Sequence, residues 1–92
     1  MGRPRKKICS REEFTLVNNS GVEGFELEAE HESGNLLTFA CDDEEGQVTI
    51  FFDPSLTRYE VDLTALRKLL DDAEADILER RRVFQLFESD VP

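Results

Sequence analysis

The chain has 92 residues, which is enough for one domain with one modest hydrophobic core. Its 21 acidic residues outnumber its 11 Lys and Arg, giving a formal net charge of −10 at pH 7. A field of this sign repels nucleic acid and membrane surfaces and attracts basic protein surfaces. The sequence contains no long apolar run and no apolar segment behind its basic start, so we expect neither a membrane span nor a secretory signal. A cytoplasmic protein with free thiols at Cys9 and Cys41 is expected.

The two signs of charge are separated along the sequence. Five basic residues lie within the first eleven positions, whereas residues 12–57 contain twelve carboxylates and no Lys or Arg. Residues 1–11 are predicted to form a flexible basic arm, because they contain too little apolar surface to offset the entropy of ordering them. Residues 12–92 are predicted to form a single domain.

From Phe14 onward, apolar residues alternate with polar ones, as in strands that bury one face. Turn residues separate four predicted strands, at 13–18, 22–31, 36–41 and 48–52. A short fifth strand is predicted at 57–61, after Pro54 interrupts the ladder of hydrogen bonds. Short connections between strands favour an antiparallel meander over residues 13–61.

The apolar period lengthens after Asp62, whose side chain can cap a helix by accepting backbone amide hydrogens. Apolar positions then recur at steps of three and four, so a helix is predicted over residues 62–88. The predicted fold class is α+β, with an antiparallel four- to five-stranded meander and one long C-terminal helix packed on one sheet face. A helix of about 25 residues is about 37 Å long, whereas a typical strand reaches about 20 Å. The helix is therefore expected either to break near Glu79 or to pack its second half against something else.

That second half provides candidate contacts for a homodimer. Its apolar stripe includes Ile77, Phe84 and Phe87, and Arg80 occupies a stripe position where an apolar residue is expected. A polar residue in such a seam specifies the register of paired helices. The helical spacing also predicts an ion pair between Asp76 and Arg80. The alternative to a dimer is a C-terminal segment that folds back onto its own sheet.

The candidate partner-binding site is a set of carboxylates on one face of the predicted sheet. Glu26, Glu28 and Glu30 alternate with apolar residues, so their side chains share one face at intervals of about 7 Å. This interval resembles the spacing of phosphates along a nucleic-acid strand. The predicted site also includes the acidic residues of the two neighbouring turns: Glu32, Asp42, Asp43, Glu44 and Glu45.

These carboxylates favour a non-enzymatic binding or inhibitor protein. Its acidic face would occupy a basic surface of a nucleic-acid-handling protein, as a nucleic-acid mimic or an immunity-type protein does. The alternative interpretation is a solvated face that keeps sheets from aggregating. A further alternative is a structural subunit whose acidic surface reflects a salt-rich cytoplasm.

Residues 2–6, Gly-Arg-Pro-Arg-Lys, resemble the core of an AT-hook, a motif that binds the minor groove of A·T-rich DNA. The resemblance implies that Arg3 and Arg5 enter the groove and that Lys6 and Lys7 contact phosphates. The match is short, and the basic residues that precede the core in that motif are missing here. It supports a second hypothesis, a dimeric DNA-associated regulator with two basic arms.

Catalytic and metal-binding motifs are not recognisable in the sequence. Cys9, Cys41 and His31 are candidate zinc ligands, but three residues without motif spacing do not predict a closed four-ligand site. The acidic turn 42–46 lacks the ligand spacing of a calcium-binding loop. Neither thiol has a recognisable base with an orienting partner. We therefore expect no enzyme activity, no cofactor and no metal.

Overall fold

A computed structural model describes residues 8–19, 24–32, 34–42 and 44–89. These residues form six strands: β1 (Ile8–Cys9), β2 (Thr15–Asn18), β3 (Phe25–His31), β4 (Gly34–Cys41), β5 (Val48–Phe52) and β6 (Glu60–Val61). Short 3₁₀ helices span Arg11–Glu13 and Pro54–Arg58, and helix α1 spans Leu63–Ser89. The α+β class predicted from the sequence is confirmed.

Strands β2, β3, β4 and β5 form an antiparallel meander in chain order, as predicted. Its register places Leu27 of β3 opposite Phe39 of β4, and Glu28 opposite Thr38. Neighbouring residues of a strand point to opposite faces of the sheet. The apolar pair Leu27–Phe39 therefore lies on one face, and the polar pair Glu28–Thr38 lies on the other. The apolar face is the one that α1 covers.

The hydrophobic core lies between this covered face and the first half of α1. Leu69, Ala73 and Ile77 recur at steps of four along the helix and are fully buried. They form one cluster with Leu27 and Phe39 of the sheet. The helix starts where the sequence predicts, because the Asp62 carboxylate accepts a hydrogen bond of 2.9 Å from the Ala65 amide.

The segment predicted as a fifth strand of the meander has a different structure. Pro54–Arg58 is a 3₁₀ helix, begun by the Asp53 carboxylate, which accepts a 2.8 Å hydrogen bond from the Ser55 amide. The Ser55 hydroxyl and amide together hold the pKa of Asp53 below its ordinary value. The strand is limited to Glu60–Val61, which pairs in parallel with β1 in a separate two-stranded sheet.

The start of the chain takes part in the fold from β1 onward. Residues 1–7 of the predicted arm lie outside the described residues, but Cys9 is fully buried in the core. The Arg11 guanidinium donates hydrogen bonds of 2.8 Å to the Asp72 carboxylate on α1 and to the Phe14 carbonyl. Residues 8–11 are therefore held by contacts with the sheet and the helix, through pairings distant in sequence.

Helix α1 continues past Glu79 without a break. Beyond that residue its apolar side chains are largely exposed, apart from an edge-to-face contact between the Phe84 and Phe25 rings, 5.5 Å apart. Of the two predicted alternatives, the break near Glu79 is therefore wrong, and packing of the second half against another surface stays a prediction. Among the described residues, no helix is both long and apolar enough to cross a bilayer.

Candidate functional site

The sheet face opposite α1 carries the three predicted strand glutamates, and we call it the acidic face. Glu26, Glu28 and Glu30 project from β3, which is an inner strand of the meander. They alternate with Leu27 and Ala29, whose burial under α1 fixes the orientation of the whole strand. The sequence therefore predicted this row correctly, because a period of two is a local property.

The neighbours of the three glutamates across the sheet are uncharged. Glu28 lies between Val17 of β2 and Thr38 of β4, and Glu30 lies opposite Thr15. The Asn19 side-chain amide donates a hydrogen bond of 3.2 Å to Glu28 Oε1. Residues 12–57 contain no Lys or Arg, so the strands of the sheet provide no cation to pair with the row.

An exposed aromatic ring lies on the same face. Thr38 is opposite Glu28 on one side and opposite Phe51 of β5 on the other, so these three side chains form one row across the sheet. The Phe51 side chain is 63% exposed. The acidic face thus combines a line of carboxylates with one apolar ring at its edge.

The acidic turn that follows β4 differs from the strand row. The Asp42 carboxylate accepts backbone hydrogen bonds from Glu45 and, at 3.2 Å, from Gln47. The bond from Glu45 is the main cause that lowers the pKa of Asp42 below its ordinary value. Asp42 is therefore engaged in building the turn, which the sequence analysis did not anticipate. Asp43 lies outside the described residues.

The remaining acids of the turns are exposed, but they do not share the surroundings of the strand row. Glu44 and Glu45 lie close to helix α1, because the Arg81 guanidinium donates a hydrogen bond of 3.1 Å to the Glu44 carbonyl. Arg81 also packs against Gly46, where a Cβ would approach the guanidinium to 2.9 Å. Glu32 lies at the other end of the sheet, in the turn between β3 and β4. A positive charge, that of Arg81, thus accompanies Glu44 and Glu45.

The four residues predicted as dimer contacts have different environments. Ile77 is fully buried in the core of its own chain. Arg80 forms the predicted ion pair, with its Nε 3.0 Å from Asp76 Oδ1. Phe84 packs on Phe25, whereas the Phe87 side chain is 74% exposed. Together with neighbouring residues, Arg80, Phe84 and Phe87 line an open groove of about 490 Å³.

The predicted DNA contacts Arg3, Arg5, Lys6 and Lys7 lie outside the described residues. Of the candidate zinc ligands, Cys9 and His31 meet, with 3.7 Å between Sγ and Nε2. Cys41 is at the opposite end of the β3–β4 pair from His31. Glu13 joins the first two instead, and sequence reasoning missed it. The Ser-x-x-Glu pattern at residues 10–13 indicates a tight turn there, but it does not reveal what the carboxylate meets.

Comparison with protein-family models, with curated proteins and with solved structures found no match to this chain. Its function must therefore be inferred from its own geometry. The acidic face is the surface on which we base this inference, because three like charges lie in line on the face that α1 leaves uncovered. Such an arrangement can attract and position a cationic partner.

Proposed function

We propose that this chain is a non-enzymatic binding protein whose acidic face occupies a basic surface of a nucleic-acid-handling protein. The observation that supports this function is the row of Glu26, Glu28 and Glu30 on the face that α1 leaves uncovered. Like charges about 7 Å apart along one strand repel each other by roughly 0.6 kcal/mol per pair in water. A row of like charges on an uncovered face attracts a cationic partner, and this supports the proposed function.

The dimensions of the row suit a partner that binds a nucleic-acid strand. Successive carboxylates are about 7 Å apart, since every second residue of a strand lies on the same face. This distance is shorter than the Debye length of about 8 Å at physiological salt, so adjacent charges of the row act together on an approaching cationic surface. Arg or Lys side chains arranged for successive phosphates would find the carboxylates at comparable intervals.

Phe51 adds an apolar contact to the charged row. Binding energy in protein interfaces is concentrated in a few buried anchors, often aromatic, while surrounding charges contribute mainly to association rate and specificity. In this proposal Phe51 is the anchor and the three glutamates orient the partner. The proposed complex should therefore weaken with salt but retain a part that salt does not remove.

A capture experiment with matched variants tests this function. The full chain is immobilised and exposed to cell lysate as wild type, as the variant Glu26→Gln, Glu28→Gln, Glu30→Gln, and as a control. The control is Glu12→Gln, Asp71→Asn, Glu74→Gln, which removes the same number of charges from exposed positions away from the acidic face. Retained proteins are identified by mass spectrometry at about 0.1 M and about 0.5 M salt.

We expect wild type and control to retain the same nucleic-acid-binding proteins at the lower salt, and the strand variant to lose them. Because the proposed face mimics phosphates, excess duplex DNA should release these proteins from the wild type. Equal retention by all three chains would contradict a role for the acidic face. Retention that duplex DNA leaves unchanged would contradict the mimicry of nucleic acid.

A further inference from the structure

We propose that Cys9, Glu13 and His31 form a binding site for one divalent transition-metal ion, with Zn²⁺ the best fit. The ligand atoms would be the Cys9 thiolate sulfur, one Glu13 carboxylate oxygen and His31 Nε2. This site lies where β1 and the first 3₁₀ helix meet the end of β3, on the covered side of the sheet. It is therefore distinct from the acidic face, and neither proposal depends on the other.

The three ligand atoms are already arranged around a common centre. His31 Nε2 is 3.7 Å from Cys9 Sγ and 3.0 Å from Glu13 Oε2, and all three atoms lie within 4.8 Å of one another. Tetrahedral zinc, with bonds of about 2.3 Å to sulfur and about 2.0 Å to nitrogen or oxygen, places its ligands about 3.3–3.6 Å apart. The two distances to His31 Nε2 therefore differ from those of a tetrahedral zinc site by only about 0.3 Å or less.

The backbone brings these ligands together from three separate elements. Cys9 belongs to β1, Glu13 ends the first 3₁₀ helix, and His31 ends β3. Cys9 is fully buried, and His31 is only 7% exposed. Burial of a polar imidazole requires a polar partner, and a site that encloses three ligands of this kind satisfies that requirement.

The orientation of the ligands is supported by their surroundings. The His31 ring lies between those of Phe14 and Tyr59, with centroid distances of 5.4 and 5.2 Å. The other oxygen of Glu13, Oε1, accepts a hydrogen bond of 3.4 Å from the Ser10 amide. This bond directs Oε2 towards His31, as outer contacts typically do for metal-binding carboxylates.

The same geometry does not suit a catalytic relay. In a Cys–His–acid relay, the thiol and the acid contact different nitrogens of the imidazole, so that a proton can pass along the series. Here Cys9 and Glu13 both approach Nε2, and the thiol is fully buried. Convergence of three ligand atoms on one point is the arrangement that a metal ion requires.

The ligand types identify the class of ion. Thiolate and imidazole favour Zn²⁺ and similar transition metals, whereas Ca²⁺ and Mg²⁺ require oxygen ligands. Three protein ligands leave a fourth tetrahedral position, which a water molecule can reach from the partly exposed side of Glu13. Cys9 would bind as the thiolate and release its proton to solvent. The ion would fasten β1 and the 3₁₀ helix to the end of β3.

Titration of the full chain with Co²⁺ tests the site directly. Tetrahedral cobalt bound to a thiolate produces a sulfur-to-metal charge-transfer absorption together with intense visible bands. We expect both in the wild type, saturating at one equivalent, and displaced by Zn²⁺. Cys9→Ser should abolish the charge-transfer absorption, whereas Cys41→Ser should retain it. Cys41 is the matched control because it is the other buried thiol and lies away from the cluster.

His31→Gln and Glu13→Gln should each lower the Co²⁺ affinity at least about tenfold. X-ray absorption spectroscopy of the zinc-loaded wild type identifies the atoms bound to the metal without requiring that any variant folds. It should show one sulfur at about 2.3 Å and nitrogen or oxygen ligands at about 2.0–2.1 Å. A coordination shell of oxygen and nitrogen alone would assign the ion to surface carboxylates and overturn the proposal. An absent charge-transfer absorption in the wild type would overturn it equally.

Discussion

The two faces of the four-stranded sheet are built by the same strands but have opposite properties. On the covered face, Leu27 and Phe39 are buried against α1. On the acidic face, Glu28 and Phe51 flank Thr38 and stay in contact with solvent. The alternation of residue types along β3 determines which side chains share a face. Helix α1 packs on one of the two faces, which becomes the core, and leaves the other face in contact with solvent.

Two phenylalanines provide the largest expected contrast between the faces. Phe39 is 1% exposed on the covered face, so Phe39→Ala removes a buried ring and leaves a cavity. We expect the free energy of unfolding to fall by about 3–5 kcal/mol, which is a large part of the stability of a domain this small. Urea unfolding followed by circular dichroism measures the change.

The matched substitution on the acidic face is Phe51→Ala. Its ring is already mostly in solvent, so the free energy of unfolding should stay within about 0.5 kcal/mol of wild type. The same variant should nevertheless weaken retention of the partner in the capture experiment. A loss of stability equal to that of Phe39→Ala would show that the two faces are not distinct.

The features that the sequence predicted correctly are those with a local cause. The alternation along β3 and the cap at Asp62 each depend on residues close together in the chain. The helix period and the row of glutamates are local in the same sense. Local patterns were therefore sufficient for the α+β class and for the centre of the acidic face.

The features that sequence reasoning missed depend on contacts between distant residues. Pairing of β1 with β6 joins Ile8 to Glu60, and no pattern near either residue indicates the other. The approach of Glu13 to His31 has the same origin, and so does the ion pair that holds Arg11. Asp42 was misjudged for a different reason. Its charge placed it in the predicted binding site, whereas its carboxylate accepts backbone hydrogen bonds that form the turn.

The two halves of α1 provide a second, smaller contrast, since only the first half lies on the covered face. Ile77→Ala should lower the free energy of unfolding by about 2–4 kcal/mol, because Ile77 is fully buried. Phe87→Ala should change it by less than about 0.5 kcal/mol. Thermal unfolding of both variants, compared at equal protein concentration, measures the difference. A large effect at Phe87 that depends on concentration would instead show that the second half of α1 is covered in an oligomer.

Charge on the acidic face should oppose folding slightly, in contrast to the apolar residues of the covered face. The combined variant Glu26→Gln, Glu28→Gln, Glu30→Gln removes repulsion between successive carboxylates of the strand, while the side-chain carbonyl introduced at position 28 can still accept the hydrogen bond from Asn19. We expect a gain of up to about 1 kcal/mol in the free energy of unfolding at low salt. The gain should shrink as salt screens the wild-type charges. A variant less stable than wild type at every salt concentration would show that the row contributes to the fold.

The smallest expected effect tests the contact between Arg11, near the start of the chain, and Asp72 of α1. The hydrogen bond from Arg11 is the main cause that lowers the pKa of Asp72 below its ordinary value of 3.8, with Lys68 contributing less. A carboxyl whose pKa is lowered by folding stabilises the protein fully at a pH above the ordinary pKa of that group. This contribution is lost as the pH falls through the lower pKa of the folded state. Arg11→Gln should therefore reduce the melting temperature by a few degrees at most near neutral pH, and by less below pH 3.8.

Lys68→Gln is the control, with a smaller effect, since Lys68 is exposed and 3.3 Å from the same carboxylate. An effect of Arg11→Gln that persists unchanged at low pH would show that Arg11 acts through the Phe14 carbonyl and not through Asp72.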